Sequence, residues 1–138
     1  MSDWIVRQRI RIPFQYTAGR VLTRFLLGLA ERRIWATRCE GCGRVYVPPR
    51  GFCGRCWREI TRWEEVPAEG EVVSYAVRPA EPPVIFGLIR LDGADTLLVH
   101  YLSDVAPADL ERVRRVRAVW SADRTGSIMD IAYFAPVW

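Results

Sequence analysis

The chain is predicted to be mainly β with one N-terminal helix: a zinc ribbon followed by a five-stranded OB-fold barrel. Three observations carry this expectation. All four cysteines of the 138 residues fall in two C-x2-C pairs, Cys39 with Cys42 and Cys53 with Cys56. Residues 17–33 place apolar side chains at helical spacing. Residues 71–134 break into five short runs of strand-forming residues, with the longest connection between the third and fourth, as in a small Greek-key barrel.

Residues 1–16 alternate loosely, with Trp4, Ile5, Ile10, Ile12 and Phe14 among arginines, and read as an extended arm that needs a surface to lie against. From residue 17 the period becomes helical. Val21, Leu22, Phe25, Leu26 and Leu29 form one apolar stripe, Thr17 is the expected N-cap, and Leu27 falls off the stripe. The stripe has two equally weighted destinations, the chain's own core or a partner protein.

The metal argument rests on the stretch RCEGCGRVYVPPRGFCGRCWR. A two-residue gap makes a tight turn that aims two thiolates at one point, and two such turns complete a tetrahedral set suited to Zn2+. Gly41, Gly43 and Gly54 lie in or beside these turns. Residues 45–47 read as a strand and residues 48–51 as the turn that reverses it. Two disulfides would require an oxidising compartment, and no secretory signal precedes the pattern. A redox dithiol would need one pair in a thioredoxin-like setting, which is absent. The predicted ligands are therefore Cys39, Cys42, Cys53 and Cys56, holding a structural ion.

Residues 34–38 read as the strand entering the ribbon and residues 57–63 as its exit. Residues 64–70 are acidic and carry Pro67 and Gly70, so they read as a link between domains. The expected division is 1–35 arm and helix, 36–63 ribbon, 64–138 barrel. Barrel strands are expected at 71–77, 84–91, 96–102, 116–122 and 127–134, with a helical turn near Pro107.

The net charge of +4 conceals a split: residues 1–63 carry 13 Arg against 4 acids, residues 64–138 carry 7 Arg against 12 acids. The first part stands at +9 and the second at −5. Such a basic part suits nucleic acid, a phosphate-bearing cofactor or an acidic protein. No apolar run approaches the roughly 20 residues of a membrane span, so a cytoplasmic protein with no membrane partner is expected.

A helix carrying TRFLLGL, the ribbon above, then LDGADT, VRAVW and SIMDIAYFAP together resemble the DUF35 family. The resemblance runs from about Tyr16 to Pro136, with the motifs in the family's order. It implies a rubredoxin-like zinc ribbon joined to an OB fold, and a place in acyl-CoA metabolism. It further implies a non-catalytic scaffold subunit of a thiolase-type acyltransferase, in some cases beside an enoyl-CoA hydratase, which docks through helix and ribbon and helps hold or pass the CoA-linked intermediate. The helix stripe Val21, Leu22, Phe25, Leu26 and Leu29 matches the family's docking helix in pattern. In two places the chain departs from the family. The glycine often found at the helix end is Arg32 or Arg33, and the glycine usual before VRAVW is missing from Arg112-Val113-Arg114.

No catalytic residue is expected. A thiolase needs a reactive cysteine and a base, yet every cysteine here is committed. His100 sits in an apolar strand, where a hydrogen-bonded structural histidine is the expectation. Asp92, Asp95, Asp123 and Asp130 lie in or near turns, where carboxylates commonly bond their own backbone. Contact with CoA is expected only within a complex, and no particular arginine is singled out for it. The alternative function is single-strand nucleic-acid binding, with Tyr75, Tyr101, Trp120, Tyr133 and Phe134 as stacking rings. The negative charge of the barrel half opposes it.

Overall fold

The computed structural model describes residues 4–138; the arm reading for residues 1–3 lies outside the described residues. Residues 4–18 form no regular element, and Trp4, Ile10, Ile12 and Phe14 are exposed. The helix α1 spans Gly19–Ala30. Its cap position falls on Ala18 with no side-chain cap, so Thr17 does not cap it, being one residue too early.

Helix α1 ends in a Schellman turn. Arg33 N–H donates to Gly28 O at 2.9 Å and Arg32 N–H to Leu29 O at 3.0 Å, with Arg32 in the left-handed region at φ 61°. This is the position where glycine normally closes a helix. The family departure noted in the sequence thus falls on Arg32.

The predicted stripe divides. Phe25 is 1% exposed and Leu29 0%. Both belong to the core, and Leu22 and Leu26 pack against it from the side. Val21 is half-buried and Leu27 exposed. Self-packing therefore accounts for the centre of the stripe, leaving only its flanks for any docking role.

The ribbon is a three-stranded antiparallel sheet of β1 (Ile34–Arg38), β2 (Val45–Tyr46) and β3 (Arg62–Val66), in the order β2-β1-β3. Strand β3 runs past the expected exit: Glu64 and Glu65 pair with Ala36 and Trp35. Residues 64–66 are therefore strand and not linker, and only Pro67 and Ala68 separate β3 from β4. The cause is an ion pair, with Arg38 Nε 2.6 Å and Nη2 3.0 Å from the Glu64 carboxylate. What composition presented as a solvated acidic link is a charge-matched sheet edge.

Strands β4 (Glu69–Arg78), β5 (Val84–Leu91), β6 (Leu98–Leu102), β7 (Arg115–Trp120) and β8 (Ile131–Val137) close into a barrel in the order β4-β5-β6-β8-β7, with β6 and β8 parallel. This is the OB-fold arrangement. Gly70 lies where β4 meets both β5 and β7, and a Cβ there would strike the Arg90 carbonyl. The predicted turn is a 3-10 helix at Pro107–Arg112. Val113 follows it with φ −74°, so this turn does without the family's glycine. The last strand starts later than predicted. Residues Ile128–Asp130 are a 3-10 turn capped reciprocally by Ser127 and Asp130, which keeps them out of the ladder.

One core runs through everything. Phe25, Leu29, Ile34, Ala36, Val45, Val47 and Val66 share a buried cluster with Ile89, Val116, Ile131 and Phe134 of the barrel. Among the described residues no helix is long and apolar enough to cross a membrane.

Candidate metal centre and the ribbon tip

The two knuckles are built alike. Cys39 N–H donates to Arg44 O and Gly43 N–H to Cys39 O; Cys53 N–H donates to Arg58 O and Trp57 N–H to Cys53 O, all at 2.8–3.0 Å. Each turn therefore needs a left-handed residue directly after its second cysteine. The first uses Gly43 at φ 76°, the second Trp57 at φ 58°. A bulky residue in that region is strained.

The knuckles bring Cys39, Cys42, Cys53 and Cys56 together with all four sulfurs within 4.8 Å of one another. The Cys42–Cys53 separation is 3.6 Å. A tetrahedron of sulfurs about 2.3 Å from a central ion has edges of about 3.8 Å, whereas a disulfide would bring the sulfurs to about 2.0 Å. The donor set thus has the size and softness of a closed four-sulfur metal site. Cys39 and Cys53 are buried, Cys42 and Cys56 exposed.

Tyr46 supports the cluster from below. Its buried hydroxyl lies 3.3 Å from Cys53 Sγ and accepts the Gly54 N–H at 3.0 Å. That contact pulls the Cys53 thiol down to about 6, helped by N–H donors from Arg55 and Cys56. Cys56 goes the other way, pushed up to about 12 by its hydrogen bond to Cys42. Four crowded thiols share protons unequally, and a bound dication removes the need to share. Arg44 and Arg50 lie over the Tyr46 ring at 5.6 and 5.5 Å, a placement that favours cations near an aromatic face.

His100 is turned into the barrel. Its Nδ1 accepts the Tyr101 N–H at 2.8 Å, so Nε2 carries the proton and donates to Ile128 O at 3.1 Å. Burial lowers its pKa. The ring meets Phe134 edge-on at 5.5 Å. Neither nitrogen is available for proton transfer in this arrangement.

The turn carboxylates behave less locally than expected. Asp130 does bond its own turn, accepting N–H groups from Thr125, Gly126 and Ser127 at 2.8–3.2 Å. Burial alone would raise its pKa, but these donors and Arg124 outweigh it and hold it below the usual range. Asp92 instead forms a bidentate pair with Arg115 at 2.7 and 2.6 Å, and Asp95 reaches across to the ribbon. Among the proposed stacking rings Phe134 is fully buried and cannot serve, while Tyr75 and Tyr101 are partly exposed. The most exposed aromatics of the ribbon are Trp57 and Phe52, which sequence reasoning passed over. The available signal was the comparison of Cys42-Gly43 with Cys56-Trp57.

Together, the fold and the sulfur cluster define a zinc-ribbon–OB-fold protein. Residues 28–62 match the model of the ChsH2 rubredoxin-like zinc ribbon domain, and residues 63–121 match that of the ChsH2 C-terminal OB-fold domain, which jointly cover more than half of the chain. The chain belongs to the DUF35 family. It is similar to a DUF35 domain-containing scaffold protein of Methanocaldococcus jannaschii, at 30% identity over 92 residues, 60% of this chain and 64% of that relative. The match therefore spans less than two thirds of the relative's length. A DUF35-family crystal structure from Sulfolobus solfataricus, of unknown function, has a TM-score of 0.56 and 30% identity, over 64% of this chain and 71% of that one. A chain of the Ltp2-ChsH2(DUF35) aldolase structure has a TM-score of 0.65 over 88% of this chain and 98% of that one, at 24% identity, a likeness of fold alone.

Proposed function

We propose that this protein is a non-catalytic scaffold subunit that docks on a thiolase-type enzyme of acyl-CoA metabolism, with Zn2+ held by Cys39, Cys42, Cys53 and Cys56 as a structural staple. The ion keeps the ribbon tip in shape; docking uses that tip together with the flanks of α1, chiefly Val21, Leu22 and Leu26. Phe25 and Leu29 support the helix from inside. No residue of this chain is assigned a reaction step. The name of the Methanocaldococcus relative as a scaffold protein and the aldolase assembly named for the structural neighbour support an enzyme partner.

The observation that carries this reading is Trp57. It is 84% exposed yet occupies the left-handed position that the sister knuckle gives to glycine. A strained, solvent-facing tryptophan costs stability and contributes nothing to the core, which is how a contact residue for another protein behaves. Phe52 in the same stretch is also exposed, as are Arg50, Arg55 and Arg58.

Trp57→Gly separates the roles. It should raise stability by about 1 kcal/mol through relief of strain, keep one metal per chain, and weaken the complex with a co-expressed thiolase-type enzyme by about tenfold or more. Unchanged affinity would remove the tip from the interface, and acyl-thioester turnover by the chain alone would overturn the scaffold reading.

A further inference from the structure

The N-terminal arm is a strand-like sequence without a sheet, and β4 is a sheet edge without a strand. From Val6 to Gln15 the arm alternates loosely: Val6, Ile10, Ile12 and Phe14 fall on even positions, interrupted by Gln8, while Arg7, Arg9, Arg11 and Pro13 fall on odd ones. That period of two suits one half-buried β-strand. Val6, Ile10, Ile12 and Phe14 are all exposed.

Strand β4 presents the complement. It pairs with β7 only through Glu69, Gly70 and Glu71, and Val72 N–H makes a last bond to Arg114 O. After the bulge at Val72/Ser74 it continues to Arg78 with β5 on one side and, among the described residues, no strand on the other. Tyr75 and Val77 lie on one face of this segment, Ser74, Ala76 and Arg78 on the opposite face, and all are exposed. A free edge of this length, with Tyr75, Ala76 and Val77 at its centre and no lysine or proline within it, is the kind that recruits another strand.

We propose that the arm of one copy adds to the β4 edge of a second copy, and that two copies exchange arms reciprocally to form a symmetric dimer. Alternation on both sides fixes the match: the even-numbered arm residues extend the Tyr75–Val77 face, and the arginines take the opposite side. Pro13, which lacks an N–H, requires a register in which its parity points away from the ladder, where proline is tolerated. Charge favours the barrel as the receiving surface. Residues 4–16 carry three arginines and no acid, the ribbon half is itself basic, and residues 64–138 stand at −5. Reciprocal exchange satisfies both copies with one two-fold axis. The pairing does not depend on the enzyme partner, and it goes beyond the docking reading.

Sedimentation of the full, metal-loaded chain across micromolar concentrations tests this. The expected species is a dimer. The arm variant Ile10→Asp with Ile12→Asp, at two exposed positions outside the core, should weaken it by about tenfold or more. The edge variant Tyr75→Lys with Val77→Lys should do the same, and mixing the two variants should restore a heterodimer through the one intact arm and the one intact edge. A monomer at every concentration would overturn the proposal, whether the arm then folds onto its own β4 or waits for the enzyme. So would a dimer that survives the arm variant.

Discussion

Val45 and Asp95, fifty residues apart in sequence, hold each other twice: the Val45 N–H donates to Asp95 Oδ2 and the Asp95 N–H donates to Val45 O, both at 2.9 Å. Next to them Thr96 Oγ1 accepts the Val47 N–H at 2.8 Å and donates to Val47 O at 2.9 Å. The loop between β5 and β6 thereby acts as a fourth strand for the ribbon and satisfies the open edge of β2. This gives the LDGADT motif a physical role, since Gly93 turns the chain at φ 85° and the next polar pair closes the ribbon.

Thr96→Val keeps the shape but leaves both polar groups of the buried Val47 without partners. The expected cost is about 1–3 kcal/mol, read as a lower urea midpoint. Amide exchange at Val45 and Val47 should quicken while exchange within β5 stays slow. Unchanged protection at Val47 would mean that the loop does not hold the ribbon.

Arg32→Gly should stabilise the chain by about 1 kcal/mol, because glycine occupies the left-handed closing position of a Schellman turn without Cβ strain. Arg32 is exposed and, among the described residues, makes no ion pair that the change would remove. A rise in Tm of a few degrees is expected. No change would show that the turn adapts to arginine at no cost.

Removing the metal should loosen the ribbon and spare the barrel. Cys39, Tyr46, Cys53 and Ile60 form a small cluster of their own, separate from the main core, in the part of the ribbon that surrounds the four sulfurs. Chelation should release one Zn2+ per chain and abolish the near-ultraviolet signal of Tyr46 while most of the β-sheet signal remains. Full retention of the ribbon without metal would contradict the structural role given to the ion.

His100 predicts a pH dependence with a definite sign. Burial lowers its folded pKa below the ordinary value of about 6.5. The folded state then binds its proton less readily than the unfolded state, so its stabilising contribution is full above about pH 6.5 and is lost as pH falls below that toward the folded value. Metal release acts in the same direction, so the quantity to measure is the difference between the wild type and His100→Gln. The variant should show the shallower loss of stability on acidification; equal slopes would mean that His100 does not titrate differently on folding.

The four-cysteine cluster, the ribbon, the α-helix and the barrel were legible because each depends on local order. C-x2-C spacing sets sulfur geometry within one turn, and helical or alternating periodicity reports which face is apolar whatever lies opposite. Identification of the family followed from the same stretches. The tertiary structure alone decided that Phe25 and Leu29 point into the chain's own core, that Glu64 belongs to a strand edge through Arg38, and that Asp95 and Thr96 bind the ribbon rather than their own turn. Each of these joins residues far apart along the chain, and a partner's distance is not encoded in the pattern around either residue. Trp57 stands between the two cases: its neighbours in sequence announce a knuckle, but only the backbone angle shows a tryptophan where its twin has glycine.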